Sequence, residues 1–329
     1  MTDPVRISVV IPTFNRRDRL QRLLEALAAQ EIDEPFEVVV VSDGSTDGTD
    51  AYLTGPTVPL PIRVVLQTNQ GPAAARNGGV EQACGDLVVF IDDDVVPVPA
   101  FLAKHRAAHV ALGPDAVVIG PMIDPVGHDM TPWVRYEQAM LRKQYDAMAA
   151  GYYVATARQF YTGNASVPRE LLIATGGFDP AFRRMEDLEL AYRLDDRGVR
   201  WHFEPAAIGH HFAERSFESW RHAAYSYGRN DVIFGRDLGH ENVLRVTAEE
   251  YGSRHVLVRT LIRLCVPRPR LSALVDRFVG AVVQSRLGMR APRLTRLLLS
   301  GDYNLAYYRG VADELGDPGR LRELVAGRS

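Results

Sequence analysis

Four short apolar runs, Ile7 to Ile11, Phe36 to Val41, Ile62 to Leu66 and Leu87 to Ile91, each give way to polar, turn-forming residues. Runs of this length, alternating or continuously apolar, suit strands buried in a sheet, and the segments between them carry helical signals. Arg17 to Gln30 has an amphipathic pattern, and Pro72 to Ala83 opens with a proline suited to a helix's first turn. The alternation is that of parallel β-α-β units. The strands end at Pro12-Thr13-Phe14-Asn15, Ser42-Asp43-Gly44-Ser45, Gln67-Thr68-Asn69-Gln70 and Asp92-Asp93-Asp94. In an open parallel sheet ligands bind beyond the carboxyl ends of the strands, so these ends predict one nucleotide pocket. Three adjacent carboxylates repel one another unless a cation neutralises them, and a divalent metal facing a polyphosphate is the simplest reason for Asp92-Asp93-Asp94. A solvated acidic turn is the plain alternative.

Beyond Asp94 the alternation loosens. A helix is expected from Pro97 and Pro99 through His109, a strand near Ala116 to Ile119, and a helical stretch around Val134 to Met148. Phe160 to Val167 reads as a strand broken by Gly163, where a ligand or backbone approaches closely. Arg169 to Ala174 reads as a short helix closed by Gly176-Gly177, Glu186 to Asp196 as a helix ending at Gly198, and Arg200 to Phe203 as the last strand.

Several side chains suit nucleotide chemistry. A carboxylate at Asp43 can pair with an imide N–H of uracil, and Gly44 lets the base lie flat. Arg76 stands on a helix of small residues, Pro72-Ala73-Ala74-Ala75, which would admit a nucleotide closely while the guanidinium supplies charge. In the helix from Glu186, Asp187 shares a stripe with Leu190, Ala191 and Leu194 and so points inward, whereas Glu186 aligns with Glu189 and Arg193. An inward carboxylate with a raised pKa can take a proton from an acceptor hydroxyl; an acidic pair favoured by the helix dipole is the other reading. His210-His211 follow a strand and offer imidazole to manganese or a similar ion, although such histidines are more often structural. There is no Gly-x-Gly-x-x-Gly after the first strand and no Gly-x-x-x-x-Gly-Lys-Ser/Thr, so a dinucleotide dehydrogenase or P-loop ATPase lacks its phosphate cradle.

With 329 residues and 46% apolar content, the chain can bury a full-sized core. Cys84 and Cys265 are the only cysteines, with neither disulfide-framework nor zinc spacing. No apolar run approaches about 18 residues, and the N-terminus shows no signal-like apolar stretch, so a cytoplasmic location is expected. From Ser253 onward fourteen Arg face six acidic residues, so the preceding 252 residues carry −11 of a total net charge of −3. An acidic front part argues against a nucleic-acid partner. The basic end, with Arg interleaved among apolar residues and interrupted by Pro267 and Pro269, has two readings. One, the favoured one, is packing on the acidic part as an internal lid or dimer contact; the other is peripheral contact with an anionic inner membrane face, which would suit a lipid-linked acceptor.

Taken in order, Ile11-Pro12-Thr13-Phe14-Asn15-Arg16, Val41 to Thr49, Asn69-Gln70-Gly71 with Ala75-Arg76-Asn77, Asp92-Asp93-Asp94, Gly176-Gly177-Phe178-Asp179, Glu186-Asp187 and Ile208-Gly209-His210 resemble the inverting nucleotide-sugar glycosyltransferases of family 2. The likeness spans roughly Arg6 to Phe212. It implies an α/β fold of GT-A type: a Rossmann-like nucleotide-binding sheet flanked by helices, with a helical C-terminal region. The implied division is a catalytic domain over 1–215, with a nucleotide-sugar half to about 120 and an acceptor half after it, and a helical region over 216–329. By the same resemblance Thr13, Asp43 and Arg76 contact the nucleoside and Asp92 the ribose. Pro12, Asn15, Gly44 and Asp93 belong to the same nucleotide-binding set. Asp94 and His210 hold Mn²⁺ or Mg²⁺, and Asp187 is the base. Asn164, Gly176, Gly177 and Glu186 fall in the pocket for the donor and acceptor sugars. Ser42 stands where many relatives have Asp, and the Gln-x-x-Arg-Trp element of processive synthases is absent. The expected reaction is therefore transfer of one sugar, from a UDP-linked donor, to a hydroxyl on a glycan, lipid-linked or small-molecule acceptor. A sugar-phosphate nucleotidyltransferase and a non-catalytic nucleotide-sugar-binding protein are the alternatives; the first would want a Gly-rich basic loop after the first strand, and the second has no need of Asp187.

Overall fold

The computed structural model describes residues 7–285, 288 and 290–327. By contacts within the chain it divides into two compact units, one of residues 1–128 with 138–213 and one of residues 129–137 with 214–329.

Among the described residues, the first unit is built on ten strands in two sheets, one of seven strands and one of three. β1 (Ile7–Thr13), β2 (Phe36–Asp43), β3 (Arg63–Gln67) and β4 (Leu87–Ile91) alternate with α1 (Arg17–Ala28), α2 (Thr49–Leu53) and α3 (Pro72–Gln82). They are followed by β5 (Val95–Pro97), α4 (Phe101–Leu112), β6 (Ala116–Ile119) and β7 (Met122–Ile123). Then come α5 (Pro132–Ala149), a 3₁₀ turn (Ala157–Gln159), β8 (Asn164–Pro168), α6 (Arg169–Ala174), α7 (Glu186–Asp195), β9 (Arg200–Phe203) and β10 (Gly209–His211). The main sheet runs β3-β2-β1-β4-β8-β6-β9. Its first four strands are parallel, as the alternation predicts, and β6 and β9 are also parallel to each other. β8, however, lies antiparallel between β4 and β6, so the sheet is mixed. A second small sheet, β5-β10-β7, was not expected, and it makes β10 rather than β9 the last strand.

Leu20, Leu23, Leu24 and Leu27 of α1 pack with Ile7, Val9, Ile11, Val38 and Val40 in a fully enclosed core. Gly79 of α3 serves packing. A Cβ on Gly79 would lie 2.3 Å from Val10 Cγ1, so glycine there sets how closely α3 approaches β1. The expected strand from Phe160 begins only at Asn164. Before it, Gly163 fits against Met122 and Asp92, whose Oδ2 would stand 3.1 Å from an added Cβ.

The second unit is helical: α8 (Phe217–Arg236), α9 (Glu241–Ser253), α10 (Val256–Cys265), α11 (Pro269–Val283), α12 (Pro292–Leu315) and α13 (Pro318–Val325). α12 packs along α8 so closely that Cβ atoms on Gly228 and Gly310 would each fall 2.0 Å from a carbonyl oxygen of the other helix. Arg221 of α8 pairs with the enclosed Asp302 at 2.8 Å, and burial pushes that carboxyl up to about 7.

Candidate active site

The sequence-predicted nucleotide residues gather at the carboxyl ends of β1, β2 and β4. Pro12 and Thr13 remain in β1, paired with Val41 and Ser42 of β2. Asn15 follows in the left-handed region, at φ 55°, which an asparagine tolerates. Its Oδ1 accepts the Thr46 N–H at 2.7 Å, and its own N–H donates to Ser45 Oγ at 3.1 Å, tying the two turns together.

Asp43 closes β2 and is 5% exposed. Its Oδ1 accepts from Gln67 Nε2 (2.7 Å) and Gln70 N (2.8 Å), and its Oδ2 from Gly71 N (2.9 Å). The carboxylate therefore staples the loop ahead of α3, and Oδ2 keeps acceptor capacity beyond its bond to Gly71. Gly44 is required for this arrangement. Its φ is 80°, and a Cβ would sit 2.8 Å from the Asn69 backbone nitrogen. Gly44→Ala is expected to cost about 1–3 kcal/mol, through strain and collision together. Urea unfolding of the variant checks this, and a midpoint equal to the parent's would contradict it.

Two of the three acids after β4 share one arginine. Thr13 Oγ1 donates to Asp93 Oδ2 at 2.8 Å, and Arg16 Nη1 reaches both Asp93 Oδ1 (3.0 Å) and Asp94 Oδ2 (2.7 Å). Arg19 adds a longer contact to Asp94 at 3.4 Å. Burial pushes the Asp93 carboxyl up to about 7 against the pull of Arg16. Burial opposes the charge on Arg16 in turn, but Asp93 and Asp94 outweigh it and hold the guanidinium more firmly protonated.

Of the adjacent histidines, it is His211 whose Nε2 faces Asp94 Oδ1, at 3.6 Å. Consecutive strand residues face opposite sides, and His210 Nδ1 is buried without a hydrogen-bond partner. Gln138, 3% exposed, donates through Nε2 to His211 Nδ1 at 3.0 Å, while its own Oε1 is left without a partner. Turning that amide over would let Oε1 accept from an Nδ1–H and free Nε2 as a lone-pair donor. A carboxylate and an imidazole so oriented fit a hard or borderline divalent ion whose other ligands come from phosphate. Among the described residues no group of three His, Cys, Asp or Glu forms a complete site by itself.

Arg76 joins this edge to the base candidate. Its Nη1 donates to Glu186 Oε1 at 2.6 Å and its Nη2 to Asp92 Oδ1 at 2.9 Å, with the side chain almost enclosed beside Phe178. Burial works against its charge, but Asp92, Glu186 and Asp187 together outweigh burial. Glu186 does align with Glu189, but the inward stripe of Asp187 is not the only face of α7 that is enclosed. Both glutamates are buried, because Arg76 meets the first and Arg193 binds the second at 2.5 Å, so α7 is enclosed on nearly every side. Asp187 accepts the N–H of Leu188 at 2.8 Å through Oδ1. Burial first, and then the charge of Glu186, push its carboxyl up to about 7. Burial and the charge of Asp187 likewise raise the Tyr161 phenol to about 12, which keeps that hydroxyl protonated.

One sugar-pocket expectation changes. Asn164 is fully enclosed, and its Nδ2 donates to the carbonyls of Pro121 and Ala207 at 2.9 and 2.8 Å while its Oδ1 lies 2.9 Å from His105 Nε2. Its side chain is spent on bracing the sheet and cannot line a sugar pocket. Gly177 is placed by contact with Asn77, whose Oδ1 accepts the Phe178 N–H at 2.8 Å and would lie 2.6 Å from a Cβ on Gly177. Gly176, by contrast, has open space where a side chain would be. Sequence reasoning passed over Arg16, Arg19, Gln138 and Tyr161 and, of the pair His210-His211, gave the metal to His210; of the residues passed over, only Arg16, inside a quoted motif, had a signal.

The sequence model described as "Glycosyl transferase family 2" matches residues 8–186. Among curated proteins, the validoxylamine A glucosyltransferase of Streptomyces hygroscopicus subsp. jinggangensis (strain 5008) is 34% identical over 219 residues, 59% of this chain and 52% of that protein. The pre-mycofactocin glycosyltransferase of Mycobacterium tuberculosis is 28% identical over 224 residues, covering 68% and 46%. The chain thus spans about half the length of these relatives. Two solved structures share the fold. TarS 1–349 of S. aureus in complex with UDP has a TM-score of 0.54 at 22% identity, covering 95% of this chain and 92% of that one. Mannosyltransferase PcManGT of Pyrobaculum calidifontis in complex with GDP-Man and Mn²⁺ has a TM-score of 0.55 at 21%, covering 95% and 90%. The mixed sheet with its flanking helices is accordingly of GT-A type, and a family match over more than half of the chain shows that this protein belongs to glycosyl transferase family 2.

Proposed function

We propose that the protein transfers one glycosyl group from a nucleoside diphosphate sugar, UDP-linked, to a hydroxyl acceptor with inversion at the anomeric carbon. The observation that carries this reading is the Arg76 bridge. One guanidinium fixes Asp92, at the nucleotide end of the sheet, and Glu186, next to Asp187, at 2.9 and 2.6 Å. A base with a raised pKa is thereby held beside the carboxylates that face the donor. The acceptor O–H proton passes to the Asp187 carboxylate, the acceptor oxygen bonds to the anomeric carbon, and the bond to the diphosphate breaks with its electron pair leaving on the diphosphate oxygen. Leu188 N–H occupies Oδ1 and leaves Oδ2 to take the proton. Asp43 and the turn it staples orient the nucleobase, and Asp92 meets the ribose. Asp94 and His211 would hold Mn²⁺ or Mg²⁺, which supplies Lewis-acid stabilisation of charge developing on the leaving diphosphate. A structural relative bound to GDP-Man and Mn²⁺, and another bound to UDP, support the donor class and the ion.

Asp94→Ala is expected to abolish Mn²⁺-dependent UDP binding while the fold survives. His211→Ala is expected to weaken that binding roughly 10–100-fold, on the scale seen when a metal site is disturbed. His210→Ala should leave it near the parent value. Calorimetry with and without Mn²⁺ tests all three, and an affinity indifferent to the ion in the parent would remove the metal from the reading. Thermal shift with UDP-, GDP- and dTDP-sugars identifies the nucleotide, because a ligand that binds only the folded state raises the melting temperature more the tighter it binds.

A further inference from the structure

We infer that the second unit docks on an anionic phospholipid surface through the outer faces of α10, α11 and the start of α12. α10 and α11 both pack on α12, with Val258 and Ile262 in one cluster with Tyr308 and Val311, and Cys265, Val279 and Val283 are buried as well. Their other faces are not covered. Leu257 and Leu264, seven residues apart on α10, and Leu271, Leu274 and Phe278 on α11 are exposed, with Leu257, Leu274 and Phe278 each 60–62% accessible. Leu294 and Leu297 continue the pattern on the first turns of α12. Spacings of three, four and seven place the large side chains of each helix in a stripe.

Arginines border these stripes. Arg270, Arg277, Arg293 and Arg296 have no carboxylate partner among the described residues, whereas Arg221 and Arg309, on the inner side, share Asp276 at 2.5 and 3.2 Å. Unpaired guanidiniums beside exposed leucines match an interface with phosphates outside and acyl chains beneath them. A second copy of the chain is a poor occupant, because an isologous contact would set these arginines against one another with no acid between them. A polyanion such as RNA would meet the arginines but leave the leucines and Phe278 in water. No described helix is long and apolar enough to cross a membrane, so the contact is peripheral. This inference does not depend on the chemistry assigned to Asp187.

Sedimentation of the purified full chain with phosphatidylcholine vesicles, with and without about a third phosphatidylglycerol, tests it. Binding is expected on the anionic vesicles alone, and weaker in 1 M salt, where the screening length falls to about 3 Å. Arg270→Gln with Arg277→Gln and Arg293→Gln is expected to lower the partition coefficient about 100-fold, at roughly five-fold per arginine. Leu274→Ser with Phe278→Ser should lower it at least about 10-fold. All these positions are exposed, and circular dichroism confirms that the variants are folded. Three results would overturn the inference: no binding to anionic vesicles, full binding by the Leu274/Phe278 variant, or a dimer in light scattering that the same variant dissolves.

Discussion

Asp187→Asn is expected to bind the donor as the parent does and to lose about two orders of magnitude or more in turnover, within the roughly 10²–10⁴ range of acid–base catalysis. The amide keeps the shape and can still accept the Leu188 N–H, but it cannot take a proton from the acceptor. Near-normal turnover, with Glu186→Gln inactive instead, would move the base by one residue. The parent's rate should rise with pH through the neutral region, because the carboxyl pushed up to about 7 must be ionised to act. Stability should run the other way. A carboxyl raised from its ordinary value of 3.8 stabilises the fold fully only below that value, and the contribution is lost as pH rises through about 7. At pH 8 the asparagine variant should therefore be more stable than the parent, by no more than about 4 kcal/mol at 1.36 kcal/mol per pKa unit, as read by urea unfolding. The gap should close toward pH 4. A gap independent of pH would show that the carboxyl is not strained by ionisation.

The largest loss of stability is expected from Arg76→Met. Removing one partner from a buried ionic cluster typically costs about 3–5 kcal/mol, because the remaining charges are left enclosed and uncompensated. Here the charges abandoned are Asp92 and Glu186, with Asp187 close by. For a unit of this size that corresponds to a fall in melting temperature of about 10 °C. The deficit should be greatest at pH 8 and shrink as acid protonates the carboxylates. Arg76→Lys should recover only part of it, since an ammonium lacks the fork that reaches both acids. A variant that melts with the parent across this range would mean that the bridge is dispensable.

The strand ends were the readable part of this chain. Val-rich segments bounded by Asn, Asp and Gly put β1, β2, β3 and β4 within a residue or two of where they lie, and with them Asp43 and the Asp92-Asp93-Asp94 edge. Strand direction was not readable, because alternation along β8 is the same whichever way the chain runs. β5, β7 and β10 have two or three residues each, too few to show a period. In a pair such as His210-His211 a period of two says that one faces each side of the strand, and Asp94, far away in sequence, decides which of them meets a carboxylate. The burial of Glu186 depends likewise on Arg76, 110 residues earlier, which the pattern of α7 alone does not reveal. Asn164 looked available for a sugar because nothing in its neighbourhood reveals His105 or the Pro121 and Ala207 carbonyls.

The antiparallel β8 also sets the order in which the molecule can be completed. β6, Ala116-Val117-Val118-Ile119, has only β8 and β9 as neighbours in the sheet, and both are made after it. During synthesis about 45 residues separate the end of β6 from the start of β8, an interval of roughly 2–9 s at about 5–20 residues per second. Through that interval four residues destined for complete enclosure have two unpaired backbone edges. Nascent chains halted between residues 120 and 163 should therefore be the species most prone to aggregate and to recruit chaperones, whereas chains released beyond β9 have the means to shield that strand themselves.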